Sequence, residues 1–112
     1  MEDSILISVK KLLGISGDDT SFDLDVIFAI NSSLSVLTQI GIGPREGLRI
    51  TDASTKWVAF VPDDPKWSLV KDYIYMKSRL LFDPPTNATL IQSLKDSIVE
   101  AEYRLKTESE TS

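Results

Sequence analysis

Apolar residues recur at helical spacing in four stretches of this chain, and turn or breaker residues fill the gaps between them. In the first stretch, Ile5, Leu6, Val9, Leu12 and Leu13 share one side of a short helix. Asp3 or Ser4 stands where a helix is capped, and Gly14 where a left-handed residue closes one. Ser16, Gly17, Asp18 and Asp19 have turn chemistry, after which Thr20 or Ser21 caps a longer helix that runs to about Ile40 and is closed by Gly41. This second helix is too apolar for one face. Phe22, Leu24, Val26, Ile27, Phe28, Ala29, Ile30, Leu34, Val36, Leu37 and Ile40 spread well beyond a stripe of about 100°. Such a helix is central to its fold or shared between subunits.

Between Gly41 and Asp64 the helical period disappears, and Gly41, Gly43, Pro44, Gly47 and Pro62 are all poor residues for a helix interior. Leu48 to Ile50 and Trp57 to Val61 have strand-like composition, with Asp52 to Thr55 able to turn a hairpin between them. A third helix starts cleanly, with Asp64 as cap and Pro65 at the first helical position, and runs to about Phe82. Pro84 disfavours helical backbone at Asp83, and Pro85 repeats the constraint on Pro84, so the helix must stop there. Thr86 or Asn87 caps a fourth helix, whose inner face is Leu90, Ile91, Leu94, Ile98, Ala101 and Leu105. Glu100 with Arg104 and Glu102 with Lys106 form i,i+4 pairs on its solvated side. The last residues offer no apolar anchor, so 106–112 is expected to be a flexible tail. The expected fold is mainly α: one domain over 1–112, four helices, an αα-hairpin at the C-terminal end, and a loop or short β-hairpin between the second and third helices.

Composition narrows the chemistry. With 42% apolar and 26% charged residues the chain should fold, and its 112 residues suit a single core. It has no cysteine and no histidine, which removes disulfides, thiolate nucleophiles, the usual neutral-pH base and the commonest metal ligand. No cofactor is expected. No apolar run approaches the roughly 20 residues of a membrane span, and Met1 to Leu13 lacks the basic-then-apolar layout of a signal peptide. A net charge of −5 works against gripping a polyanion.

Candidate sites are correspondingly few. Asp18, Asp19, Asp23 and Asp25 form the densest acidic group, but the glycine and terminal glutamate of a calcium loop are missing, and a charged turn leading into a helix explains them. A small carboxylate-dependent hydrolase would rest on these four residues alone. Lys10 and Lys11 are the only adjacent basic pair, and a helical surface face explains them; the alternative of a small helical DNA-binding or packaging regulator is motivated by helical content and small size, with the net charge against it. The third helix is richer. Trp67, Tyr73, Tyr75 and Phe82 share it with six aliphatic residues, more than one core can use, and aromatic residues and arginine favour protein interfaces.

The run Tyr73, Ile74, Tyr75, Met76, Lys77, Ser78, Arg79, Leu80, Leu81, Phe82, Asp83, Pro84, Pro85 resembles a signature of the head-tail connector proteins of long-tailed bacteriophages. Leu94, Ile98, Glu100, Glu102, Tyr103, Arg104 and Leu105 resemble the final helix of those connectors, and the short first and longer second helices follow their order. The resemblance implies a structural virion protein, not an enzyme. It implies a homo-oligomeric, dodecameric ring at the head-tail junction, assembled in the host cytoplasm and docked between the portal protein and the stopper or tail-completion protein. DNA would pass through its channel without specific binding, and no membrane is involved. Tyr73, Tyr75, Lys77, Arg79, Phe82, Asp83 and Pro84 are the expected subunit or partner contacts: the aromatic residues and Arg79 by type, and Lys77, Arg79, Phe82, Asp83 and Pro84 as signature positions.

Overall fold

The computed structural model describes residues 3–111; Met1, Glu2 and Ser112 lie outside them. Four α-helices carry the architecture: α1 (Ile5–Leu12), α2 (Asp23–Ile40), α3 (Ser68–Phe82) and α4 (Ala88–Thr111). Ser4 caps α1, its Oγ accepting the Ile7 N–H at 3.2 Å. Asn87 caps α4 by accepting the N–H groups of Thr89 and Leu90 at 2.8 and 3.2 Å. The start of α2 differs from expectation. Ser21 gives its N–H to the Asp19 carboxylate at 3.0 Å, so the helix begins at Asp23 with no side-chain cap, and Asp23 and Asp25 face its positive end. Asp64 does cap, accepting the Lys66 N–H at 2.9 Å, but Pro65–Trp67 form a 3₁₀ turn before α3 proper.

α3 lies between α2 and α4 and packs more extensively on each of them than they pack on each other. Val70, Tyr73 and Ile74 of α3 are fully buried, against Val26, Ile30, Leu34 and Leu37 of α2 on one side and Ile98, Ala101 and Leu105 of α4 on the other. Ile5, Leu6 and Val9 of α1 complete the same core. The αα-hairpin turns at Asp83, which leaves helical geometry at φ −141°, ψ 68°, as the following Pro84 requires.

The α2–α3 connection holds no strand among the described residues, only an isolated antiparallel bridge between Ser4 and Lys56 and a 3₁₀ turn at Trp57–Ala59. The reason is that each expected strand finds a different partner. Asn31 on α2 takes both backbone groups of Ile50, donating to its carbonyl at 3.0 Å and accepting its N–H at 2.8 Å. Trp57 gives its N–H to Asp3 O at 2.9 Å and its indole N–H to Ser8 Oγ at 3.1 Å. The turn at Asp52 does form, with its carboxylate accepting from Ser54. Gly43, at φ 83°, lets the loop cross the face of Phe60 so closely that a Cβ there would stand 2.4 Å from the ring. At the C-terminal end, where 106–112 was expected as a flexible tail, α4 continues to Thr111, with Ser109 Oγ donating to Ile40 O at 3.1 Å and Glu108 paired with Lys66 at 3.2 Å.

Two buried polar side chains should respond in opposite ways to truncation. Asn31→Ala strands the N–H and C=O of Ile50 and is expected to lower unfolding free energy by about 2–4 kcal/mol. Ser78→Ala removes a buried hydroxyl that has no hydrogen-bond partner, and should leave stability unchanged or raise it by up to about 1 kcal/mol. Urea denaturation of both variants checks the pair.

Candidate functional site

The expected contact residues divide between the inside of the subunit and its surface. Tyr73 is 0% exposed and donates to Glu102 Oε2 at 2.7 Å, so burial and the adjacent carboxylate both push its phenol pKa up. Lys77 lies 6.0 Å from the Tyr73 ring centroid and 3.9 Å from the same carboxylate. Glu102 therefore reaches back to α3 and not along its own helix to Lys106. Tyr73, Lys77 and Glu102 are a polar clasp in the α3–α4 joint. Tyr75 is half-buried in a shallow groove between the same helices, beside Met76, Glu100 and Arg104. Arg79 is half-buried, and its carbonyl accepts the Asp83 N–H at 2.9 Å.

Phe82, Asp83 and Pro84 sit where the molecule is least finished. The Phe82 ring meets Phe22 edge-on at 5.6 Å, tying the end of α3 to the start of α2. Around this contact Leu13, Ile15, Phe28 and Leu81 line a depression whose charged residues are Asp25 and Asp83. Phe28 is 70% exposed and Leu24, one helical turn away, 83%. A soluble subunit seldom leaves such a cluster in water, because each apolar side chain of this size is worth roughly 1.5–3 kcal/mol when buried.

A second apolar surface lies at the opposite end of α3. Trp57, Val58, Val61, Pro62, Pro65 and Trp67 wall a cleft of about 450 Å³, whose charged lining is Lys56 and Lys71 together with Asp3, Asp63 and Asp64. Lys71 Nζ stands 5.3 Å from the Trp57 ring centroid, close enough for a cation–π contact. Leu24, Phe28 and Val58 were outside the expected contact set. For Leu24 and Phe28 the signal is the surplus apolar circumference of the second helix, which does not say which members of the surplus face out; Val58, in the Trp57–Ala59 turn, has no such signal. Val99 and Tyr103, four residues apart on α4, are exposed as well.

The acidic group disperses. Asp19 accepts the Ser21 N–H, which together with the Ser21 hydroxyl holds its carboxyl below the usual range, while Asp23 pairs with Lys10 at 2.7 Å. Among the described residues no three acidic side chains converge as a metal site would need. Lys10 is 1% exposed, and also donates to Gly17 O at 3.3 Å, so the adjacent lysines are not a surface pair. No helix among the described residues is long and apolar enough to cross a membrane.

The family model described as phage connector protein matches residues 5–112, which is nearly the whole chain. No curated protein and no solved structure matches.

Lys10→Ala leaves Asp23 without its partner beneath the α1–α2 turn and should cost about 2–3 kcal/mol, the low end for a broken buried pair because Asp23 keeps some contact with water. Lys11→Ala, on the exposed side of α1, should change stability by less than about 0.5 kcal/mol. Equal effects in thermal or urea melts would contradict this placement of Lys10.

Proposed function

The chain belongs to the phage connector protein family, and from that premise we propose that it works as a ring adaptor between the capsid portal and the stopper or tail, prolonging the channel through which DNA leaves the head. The observation that carries the reading is the apolar surface left outside a completed core. Leu24, Phe28 and Val58 are each at least 65% exposed although the subunit has a closed interior. A closed ring needs a head-to-tail contact, so every subunit must present two unlike patches. A subunit this small then carries more apolar surface than its own core requires.

Net charge supports the same reading. Each copy carries −5, and a ring multiplies that charge around its lumen, which favours passage of a polyanion over retention. The role is structural, and the surface residues of the family signature, Tyr75, Arg79, Phe82, Asp83 and Pro84, are proposed as neighbour or portal contacts. Tyr73 and Lys77 would act through the α3–α4 joint they hold.

Light scattering with negative-stain imaging of the purified protein, alone and with portal, should show rings of uniform diameter. Monomers only, at high concentration and with portal present, would contradict the proposal. Pro84→Ala combined with Pro85→Ala should impair assembly more than folding, because the corner is exposed and its stiffness positions Phe82 and Asp83. Normal ring formation by that double variant would remove the corner as an assembly determinant.

A further inference from the structure

We infer that the outer face of α4 fills the Phe28 depression between copies: Val99 and Tyr103 of one subunit seat against α2 and the end of α3 of the next. The inference rests on the ring reading and names the head-to-tail contact that closes the ring. Shape gives the first argument. Phe22, Phe28, Leu81 and Phe82 line a depression of about 590 Å³, with room for two side chains from one helix. Val99 and Tyr103, 64% and 72% exposed, stand one turn apart on the convex side of α4, turned away from the Ile98, Ala101 and Leu105 face that packs in the core. An apolar ridge and an apolar depression on the same chain satisfy a heterologous contact without a second kind of protein. Tyrosine at its centre is a residue type that interfaces favour.

Position is the second argument. Since α3 lies between α2 and α4, the depression beside α2 and the outward ridge of α4 belong to different sides of the subunit. Val99 is also about 16 Å along α4 from its first residue, Ala88, beside the proline corner. The ridge therefore cannot fill the depression of its own subunit. One copy can instead hold a neighbour by each surface at once, which a ring demands and an isologous dimer does not.

Charge sets the third. Asp25 and Asp83 are the charged residues that line the depression, with no basic residue among them. On α4, Lys95 and Lys106 lie within about 40° of Val99 around the helix and bracket the ridge at its two ends. Neither lysine enters an ion pair among the described residues. The neighbouring carboxylates are engaged elsewhere: Asp96 accepts from the Gln92 amide at 2.9 Å, Glu102 from Tyr73, and Glu108 pairs with Lys66. Glu100 lies about 100° around the helix, in the groove it shares with Arg104, and Glu110 one turn beyond Lys106. Docking thus sets two lysines against two aspartates around an apolar centre, and such rim charges fix register.

The test is a charge swap, read as ring yield by light scattering under the conditions in which the wild-type protein assembles, with portal added if it is required. All four charged sites are exposed, so folding should be retained, and circular dichroism melts verify it. Reversing one side alone, by Asp25→Lys with Asp83→Lys or by Lys95→Glu with Lys106→Glu, should lower the yield about tenfold or more. The four substitutions in one chain should restore it, because each copy then presents both reversed surfaces. Tyr103→Glu, which leaves the core face of α4 untouched, should abolish rings on its own. Wild-type yield from Tyr103→Glu or from either one-sided variant, or a folded four-site variant that regains no rings, would overturn the pairing but leave the ring reading intact. A wild-type protein that never assembles would overturn both.

Discussion

Val70, Tyr73, Ile74 and Ser78 place one side of α3 wholly inside the subunit, and since α2 and α4 meet chiefly through this helix, its packing positions everything around it. Burial of three large side chains along one helix contributes on the order of several kcal/mol, a substantial part of the net stability of a chain this size. The Tyr73 hydroxyl adds direction to that burial. By donating to Glu102 from within the core it selects one rotational setting of α4 against α3, where apolar contact alone would tolerate several.

A helix held along its middle has its ends free for other contacts. At the N-terminal end the loop from Gly43 to Asp64 is pinned at Ile50 by Asn31 and at Thr55 by the Ile5 N–H, and Trp57 of the cleft is held by Asp3 O and Ser8 Oγ. At the C-terminal end Pro84 and Pro85 stop the helix abruptly and leave Phe82 against Phe22. Both ends thus combine a stiff backbone with exposed apolar side chains. That combination suits an interface that forms without prior refolding, since little conformational entropy remains to be lost on contact.

Helix number, order and the proline corner were legible because each depends on local rules: helical period, capping by Ser4, Asp64 and Asn87, and the exclusion of helix before proline. The start of α2 was moved by a local bond, Ser21 to Asp19, and the other departures were long-range. Of the loop or short β-hairpin expected between the second and third helices, the loop formed, because Asn31, nineteen residues before Ile50, holds the first strand-like segment and Asp3 and Ser8 hold Trp57 in the second. Residues 106–111 lack apolar anchors, yet Ser109 finds a carbonyl sixty-nine residues away. The pair Lys10–Lys11 looked like surface chemistry because nothing local shows that Asp23 folds back over Lys10. For the candidate site, the excess of apolar residues on the second and third helices was visible and its division was not. Tyr73 went inward, while Leu24 and Phe28 went outward.

Ring assembly, on the reading proposed above, buries the apolar side chains left outside the core. Hydroxyl-radical footprinting of the free subunit and of the assembled particle measures this directly, residue by residue. Leu24, Phe28, Leu81 and Val58, reactive in the subunit, should become protected on assembly. Assembled particles in which these four side chains react as fast as in the free subunit would contradict it.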